Sequence, residues 1–115
     1  MTLNEYQQKA ARTINGKLDN TDLVKHSLLG LASEVGETCG IFQKEYQGHA
    51  VKLEKVVEEI GDIFWFAAEL CTALGISMDE VAERNINKLF GRYKNGFTES
   101  ESVNRVEYKK GGSEE

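Results

Sequence analysis

The chain has 115 residues, of which 29% are charged, and its formal net charge is −5 at pH 7. This length suits one domain with a core of its own and is too short to divide convincingly into two. The acidic balance provides no basic surface for phosphate backbones and therefore argues against binding of nucleic-acid polymers.

Two cysteines, Cys39 and Cys71, lack the spacing of a paired motif and lie within apolar segments. Free cysteines in such places usually behave as small hydrophobic side chains, and this usage fits a reducing compartment. No stretch approaches the roughly 18 consecutive apolar residues of a membrane span, and the amino-terminal residues contain no apolar signal segment. We therefore expect a cytoplasmic protein without membrane association.

The periodicity of apolar residues predicts an all-helical chain, and proline is absent, so glycines and capping residues should end the helices. The first helix is predicted over about residues 3–14, before a stop at Asn15-Gly16. The second is predicted from a cap at Thr21 or Asn20 to about residue 48.

The third helix is predicted over about residues 51–74, with Gly75 as a C-terminal residue that tolerates a left-handed conformation. The fourth should follow a capping box that begins at Ser77 and extend to about residue 93. The fold class is therefore all-α, a four-helix antiparallel bundle-like domain over residues 1–97. Residues 98–115 are expected to form a loose C-terminal segment, disordered beyond about residue 105.

Apolar residues surround nearly the whole of the predicted third helix. A helix that is apolar on every side is normally covered on every side, which one chain of this size cannot easily do. A homodimer is therefore expected, because a symmetric dimer is the commonest solution, and association of two dimers stays open. The residues concerned are Ile60, Ile63, Phe64, Trp65, Phe66, Ala67, Ala68, Leu70 and Leu74.

Four acidic side chains interrupt these apolar segments in two pairs. Glu34 and Glu37 are three residues apart, as are Glu59 and Asp62, so each pair lies on one face of its helix. The short connection through Gly48 predicts that the second and third helices are antiparallel neighbours. We therefore expect the two pairs to face each other.

Four ionised carboxylates in a partly dry site need positive charge beside them. Two unit charges about 5 Å apart repel by roughly 3 kcal/mol at an effective dielectric constant of about 20. Oxygen ligands suit a hard divalent cation, Mg²⁺ or Mn²⁺, with the four paired carboxylates as ligands. A di-iron site is disfavoured, because neither His26 nor His49 stands three residues after a glutamate.

Taken singly, an E-x-x-E pair is common on solvated helix surfaces and carries little information. Two pairs on adjacent helices, each enclosing a glycine at Gly36 or Gly61, are more specific. A glycine inside a helix costs about 1 kcal/mol relative to alanine. These glycines therefore indicate close approach of backbone or ligand, and a helix–helix contact explains them equally well.

Asn85, Lys88 and Arg92 lie at positions i, i+3 and i+7 of the predicted fourth helix and share one face. Such a row can contact phosphate groups, although a solvent-facing polar stripe explains it as well. Beside a metal site, the phosphate interpretation is favoured. Lys44 and Lys55 are weaker candidates for the same role.

Three segments resemble the all-α nucleoside triphosphate pyrophosphohydrolases of the MazG-like superfamily: GLASEVGE, EEIGDIFWF and NINKLFGRY. The central motif of that family, E-x-x-E followed after a helical hairpin by E-x-x-D, is matched by EVGE at 34–37 and EIGD at 59–62. The resemblance extends over about residues 3–105. The run GFTESESVNR also resembles the end of small MazG-like proteins, which implies substrate contacts for Ser102, Asn104 and Arg105.

The resemblance implies Mg²⁺-dependent hydrolysis of a nucleoside triphosphate at the α–β bond, giving a monophosphate and pyrophosphate. Charge neutralisation and positioning are what this chemistry requires. Either Glu34 or Glu37 would activate the water, and spacing does not select between them. Lys88 and Arg92 would bind the departing pyrophosphate, with help from Asn85.

The base is expected in an apolar recess near the first helix, with His26 and Phe66 as lining residues. A position on the helix surface explains His26 equally well, and Phe66 suits the core better than the recess. Two alternatives stay open: a non-catalytic helical interaction module, and a phosphoribosyl-ATP pyrophosphatase within the same superfamily. The preferred base is open as well.

Overall fold

A computed structural model of the protein describes residues 1–105. The helices in chain order are α1 (Leu3–Ala11), α2 (Asn20–Gln43), α3 (Leu53–Leu74), α4 (Met78–Arg92) and α5 (Glu99–Asn104), with a 3₁₀ turn (Lys44–Gln47) after α2. The all-α prediction is confirmed, because four long helices dominate the described residues and no strand is formed among them.

The chain divides into two compact units, Met1–Met78 and Asp79–Glu115, the second of which is described as far as Arg105. The first unit contains α1 to α3, and the second contains α5 and nearly all of α4. The single domain predicted over residues 1–97 spans both units and stays a prediction.

The start of α1 is set by a capping box between Thr2 and Glu5. Thr2 Oγ1 accepts a hydrogen bond from the Glu5 backbone N–H at 3.0 Å, and the Thr2 N–H donates to Glu5 Oε1 at 2.6 Å. The helix ends at Ala11, earlier than predicted. Thr13 then donates its hydroxyl to the Ala10 carbonyl and accepts a hydrogen bond from the Trp65 indole, each at 2.7 Å. The segment after α1 is therefore fastened to α3.

The predicted caps of α2 were wrong, because Asp19 caps this helix and accepts a hydrogen bond from the Asp22 N–H at 2.9 Å. The helix ends at Gln43, and the 3₁₀ turn that follows closes at Gly48 with φ of 92°. The predicted end of α3 is confirmed, because Gly75 adopts a left-handed conformation with φ of 71°.

The helix α5 lies within the segment that was expected to be loose. Thr98 explains its start, because the Thr98 hydroxyl oxygen accepts a hydrogen bond from the Glu101 N–H at 3.2 Å. The sequence analysis did not predict this helix, since its six residues, ESESVN, include one apolar side chain. The part of the predicted loose segment beyond residue 105 lies outside the described residues.

The core of the first unit lies between α1 and the C-terminal half of α3. Its buried side chains are small or unbranched, and the larger Leu3, Tyr6 and Trp65 pack against them. Gln7 connects α1 to the residues that follow α3: its side-chain amide donates to the Ile76 carbonyl and accepts from the Met78 N–H, each at 2.9 Å. The buried set is Ala10, Ala68, Cys71 and Met78.

Contacts between α2 and α3 show that the two helices run in opposite directions. His26 contacts Glu69, Gly30 contacts Phe66, and Glu34 approaches Asp62. Residue numbers therefore rise along α2 while they fall along α3, and the prediction of antiparallel neighbours is confirmed. This pairing brings the two acidic motifs to the same height.

Among the described residues, no single helix is long and apolar enough to cross a membrane; α3 and α4 reach that length and composition only when taken together.

Candidate metal centre

Three carboxylates from α2 and α3 converge between the two helices. One oxygen atom from each of Glu34, Glu59 and Asp62 lies within 4.8 Å of the other two. Ligands on opposite sides of Mg²⁺ lie about 4 Å apart, because each Mg–O distance is about 2.0–2.1 Å. Small rotations of these side chains would therefore bring all three oxygens to one ion.

Glu37 joins this cluster through Glu59. The pKa of Glu59 is raised above its ordinary value, first by a hydrogen bond shared with the Glu34 carboxyl group and then by desolvation. The negative charges of Glu34 and Asp62 act in the same direction, whereas a hydrogen bond with Glu37 lowers this pKa. The structure thus brings all four paired carboxylates together, and their role as metal ligands stays a prediction.

One oxygen of the cluster is buried without a donor. Glu34 Oε2 accepts no hydrogen bond from the described residues. A buried acceptor without a partner costs about 1–3 kcal/mol, and more when the group is charged. A cation would supply the missing partner, and a donor set made only of oxygen suits a hard divalent ion. The residues present therefore fit Mg²⁺ or Mn²⁺.

A cleft of about 340 Å³ adjoins the carboxylates. Two cations lie along it, Lys44 from the 3₁₀ turn and Lys55 from the first turn of α3. Lys55 Nζ lies 3.8 Å from Glu58 Oε1 in an exposed pair, which is worth little and leaves the ammonium group available to a ligand. The remaining lining residues are Glu37, Gly40, Ile41 and Glu59.

The glycines inside the two acidic motifs are not explained by contact between α2 and α3. A Cβ atom at Gly36 or Gly61 would meet nothing within 4 Å among the described residues. Close packing instead requires Gly30, because a Cβ there would overlap with the ring of Phe66. Sequence analysis did not recognise this contact.

The predicted base-lining residues lie together, with the rings of His26 and Phe66 5.7 Å apart between centroids. His26 Nδ1 lies 2.8 Å from Glu69 Oε2. Glu69 is 1% exposed, whereas the His26 side chain is 50% exposed. Sequence analysis did not assign a role to Glu69, although it follows Asp62 by seven residues on the same face and stands in an apolar run.

In the second unit, α4 exposes Asn85 and Lys88, whereas Arg92 is 8% exposed. The Arg92 guanidinium lies 5.6 Å from the centre of the Tyr93 ring. The predicted row thus contains two exposed side chains and one buried side chain. The assigned roles of these residues in binding pyrophosphate stay predictions.

Two residues near the end of the described chain gather with Arg92 around Tyr93. The pKa of Tyr93 is lowered, first by a hydrogen bond with Ser102, then by one with Arg92, and further by the positive charges of Arg92 and Arg105. Asn104 instead donates to the Ser100 carbonyl at 2.9 Å. The substrate contacts expected of Ser102, Asn104 and Arg105 stay predictions.

Fold and site define an all-α protein with a carboxylate centre between two antiparallel helices. Residues 24–97 match the family model of the MazG nucleotide pyrophosphohydrolase domain, and because this is more than half of the chain, the protein belongs to that family. The resemblance read from the sequence is thereby confirmed. At the family level the match supports an enzyme of the nucleotide pyrophosphohydrolase type, and dependence on divalent metals is general in this family.

The chain is also similar to the Gene 37 protein of Mycobacterium phage L5. The two are 27% identical over 95 residues, which cover 78% of this chain and 83% of the phage protein. No solved structure matches the chain significantly.

The raised pKa of Glu59 predicts a dependence of stability on pH in the absence of metal. A folded-state pKa above the unfolded value gives a contribution that is full below the unfolded pKa and is lost as pH rises through the folded pKa. We therefore expect Glu59→Gln to raise the Tm at pH 7 in EDTA and to change it little near pH 3.

Thermal unfolding followed by circular dichroism at both pH values measures this effect. Glu54→Gln, which removes an exposed carboxylate of the same helix, is the matched control and should change the Tm little at either pH. A Tm at pH 7 that falls in Glu59→Gln would contradict the electrostatic account of the cluster.

Proposed function

We propose that this protein hydrolyses a nucleoside triphosphate between its α and β phosphates and releases a nucleoside monophosphate and pyrophosphate, with Mg²⁺ as cofactor. The supporting observation is the convergence of Glu34, Glu59 and Asp62 within 4.8 Å in a chain of the MazG family. We place the reaction in the cytoplasm, where two free cysteines are the usual state.

Glu34, Glu59 and Asp62 would hold the cation, and Mn²⁺ would satisfy the same ligands. When bound, the ion supplies positive charge to phosphate oxygens and lowers the pKa of water in contact with it. Through the ion, the carboxylates would also hold the triphosphate at a fixed position along α2 and α3. Positioning of this kind is a large part of phosphoryl-transfer catalysis.

Glu37 is the residue to which we assign activation of the water. It is exposed and lies outside the cluster of three, yet it hydrogen-bonds to Glu59 and lines the cleft. The water oxygen forms a bond to a phosphorus atom of the α–β anhydride while the bond from that phosphorus to the bridging oxygen breaks. Glu37 takes a proton from the water. The bridging oxygen keeps the electron pair of the broken bond and leaves as part of the second product.

Lys44 and Lys55 are placed to bind phosphate oxygens, because both line the cleft that contains Glu37 and Glu59. An ammonium group is a compact charge on a flexible stem and does not demand one fixed geometry. The two lysines therefore suit a phosphate chain whose oxygens shift as the anhydride bond breaks. The two lysines would neutralise the negative charge of the phosphate chain that the cation does not neutralise.

We also infer that the protein forms a homodimer through α3. Four large apolar side chains are spaced by four, three and four residues along this helix and are 45–73% exposed. A continuous exposed apolar stripe of this kind marks an interface more often than a solvated surface. Leu28, Val35 and Phe42 form a second exposed stripe on α2, through which two dimers could associate. The α3 residues are Leu53, Val57, Ile60 and Phe64.

The proposed reaction is tested by incubating the protein with Mg²⁺ and a panel of nucleoside triphosphates, deoxynucleoside triphosphates and phosphoribosyl-ATP, and identifying the products. We expect pyrophosphate, and not inorganic phosphate, together with the matching monophosphate. In Glu37→Gln, kcat should fall by about 100-fold or more, because general bases typically contribute 10²–10⁴-fold.

Glu45→Gln is the matched control, since Glu45 is an exposed carboxylate of the adjacent 3₁₀ turn and should leave kcat within about twofold of the wild-type value. Circular dichroism verifies that each variant is folded. Full turnover by Glu37→Gln would refute the assignment of the base. Absence of pyrophosphate release from every nucleotide would refute the proposed reaction and favour a non-catalytic interaction module.

The proposed dimer predicts that Val57→Lys shifts the protein from dimer to monomer, because it places a charge in the centre of the apolar α3 stripe. Sedimentation velocity measures the change. Val103→Lys is the matched control, since Val103 is 84% exposed outside that stripe and should remain dimeric. A wild-type protein that sediments as a monomer would contradict the inference.

A further inference from the structure

Glu69 is a buried charged group that the proposed reaction does not use. It is the largest of the fully buried side chains, at 1% exposure. Removing a carboxylate from water costs several kcal/mol unless it is paired and hydrogen-bonded. Apolar residues of similar volume often give equal or greater stability than a buried ion pair. Stability alone therefore does not explain a glutamate at position 69.

The partner of Glu69 is His26, whose Nδ1 lies 2.8 Å from Oε2 and 3.1 Å from Oε1. An ionised carboxylate only accepts hydrogen bonds, so Nδ1 carries the hydrogen and donates it. In the neutral imidazole, Nε2 then has a free lone pair. No group of the described residues is bonded to Nε2, and half of the His26 side chain is exposed. Glu69 therefore selects which ring nitrogen faces a ligand.

His26 lies at a defined distance from the carboxylate centre. It precedes Glu34 by eight residues, which corresponds to about 12 Å along a helix axis. Between these positions the ring of Phe66 packs on Gly30, 5.7 Å from the imidazole between centroids. Gly30 and the aromatic ring of Phe66 thus lie between the carboxylates and His26, whereas the two cleft lysines lie on the opposite side of the cluster.

We propose that Glu69 is a positioning residue that orients His26, and that His26 Nε2 binds a hydrogen-bond donor of the nucleoside part of the substrate. This inference rests on the proposed function. The phosphates of the substrate would lie beside the cation and the two lysines, so the nucleoside would extend along α2 and α3 towards His26. An aromatic ring suits the face of a base, and an Nε2 lone pair suits a ring N–H, an exocyclic amino group or a sugar hydroxyl.

Enzyme kinetics on the best nucleotide of the panel tests this inference. We expect His26→Ala and Glu69→Gln each to raise KM by about three- to tenfold, the range for loss of one hydrogen bond, with kcat within about twofold of the wild-type value. The double variant should have the KM of His26→Ala, because Glu69 acts through His26 and the two effects do not add. Glu54→Gln, which removes an exposed carboxylate of α3, should keep the wild-type KM.

Inhibition by inorganic pyrophosphate with Mg²⁺ separates positioning from a general structural role. Pyrophosphate has no nucleoside, so its inhibition constant should be unchanged in His26→Ala and Glu69→Gln while KM for the nucleotide rises. A KM that stays at the wild-type value in His26→Ala would overturn the inference. A pyrophosphate inhibition constant that rises in parallel with KM would also overturn it, since the variants would then have disturbed the whole site.

The two proposals fail in different ways. A wild-type protein that releases pyrophosphate, with His26→Ala indistinguishable from it, removes only the role of His26 and Glu69. A wild-type protein that hydrolyses no nucleotide removes the proposed function and this inference with it. If Glu69→Gln does not fold, His26→Ala alone decides the question, because the half-exposed His26 side chain can be truncated without opening the core.

Discussion

Mutual repulsion of carboxylates between α2 and α3 is the constraint on which the rest of this structure depends. Glu34, Glu59 and Asp62 approach within 4.8 Å although each carries a negative charge when ionised. The raised pKa of Glu59 means that its ionised form is disfavoured in the protein alone. A divalent cation would offset the repulsion with all carboxylates ionised, and it would also provide a partner for Glu34 Oε2. In the proposed reaction, the charge of the cation would also attract a polyphosphate.

Contacts between α2 and α3 hold these two helices in a single register. Phe66 lies on Gly30, and His26 pairs with Glu69. These residues flank the acidic motifs on both helices. Since a helix pair slips by whole turns, and one turn is about 5.4 Å, such a slip would separate the acidic pairs. The contacts between α2 and α3 therefore fix the height of the carboxylates.

Much of this arrangement was predictable from the sequence, because helix periodicity and capping act locally. The apolar periodicity identified the helices, and the spacing of Glu34 with Glu37 and of Glu59 with Asp62 identified the faces that meet. Contacts between distant residues were not predictable in the same way. The pairing of His26 with Glu69 and the fit of Phe66 on Gly30 depend on the register of α2 against α3, which no local pattern encodes. The cap at Asp19 was missed because Asn20 and Thr21 are also favoured as capping residues.

Titration calorimetry with Mn²⁺ on the wild-type protein and on Glu34→Gln tests whether the convergent carboxylates form a divalent metal site. We expect saturable binding to the wild-type protein at pH 7 and an affinity at least about tenfold lower in Glu34→Gln, because loss of a charged ligand typically costs more than 1.4 kcal/mol. Glu45→Gln, in which an exposed carboxylate near the cluster is removed, should bind as the wild type does. Equal affinity of the wild-type protein and Glu34→Gln, or no binding to either, would show that these carboxylates do not form a divalent metal site.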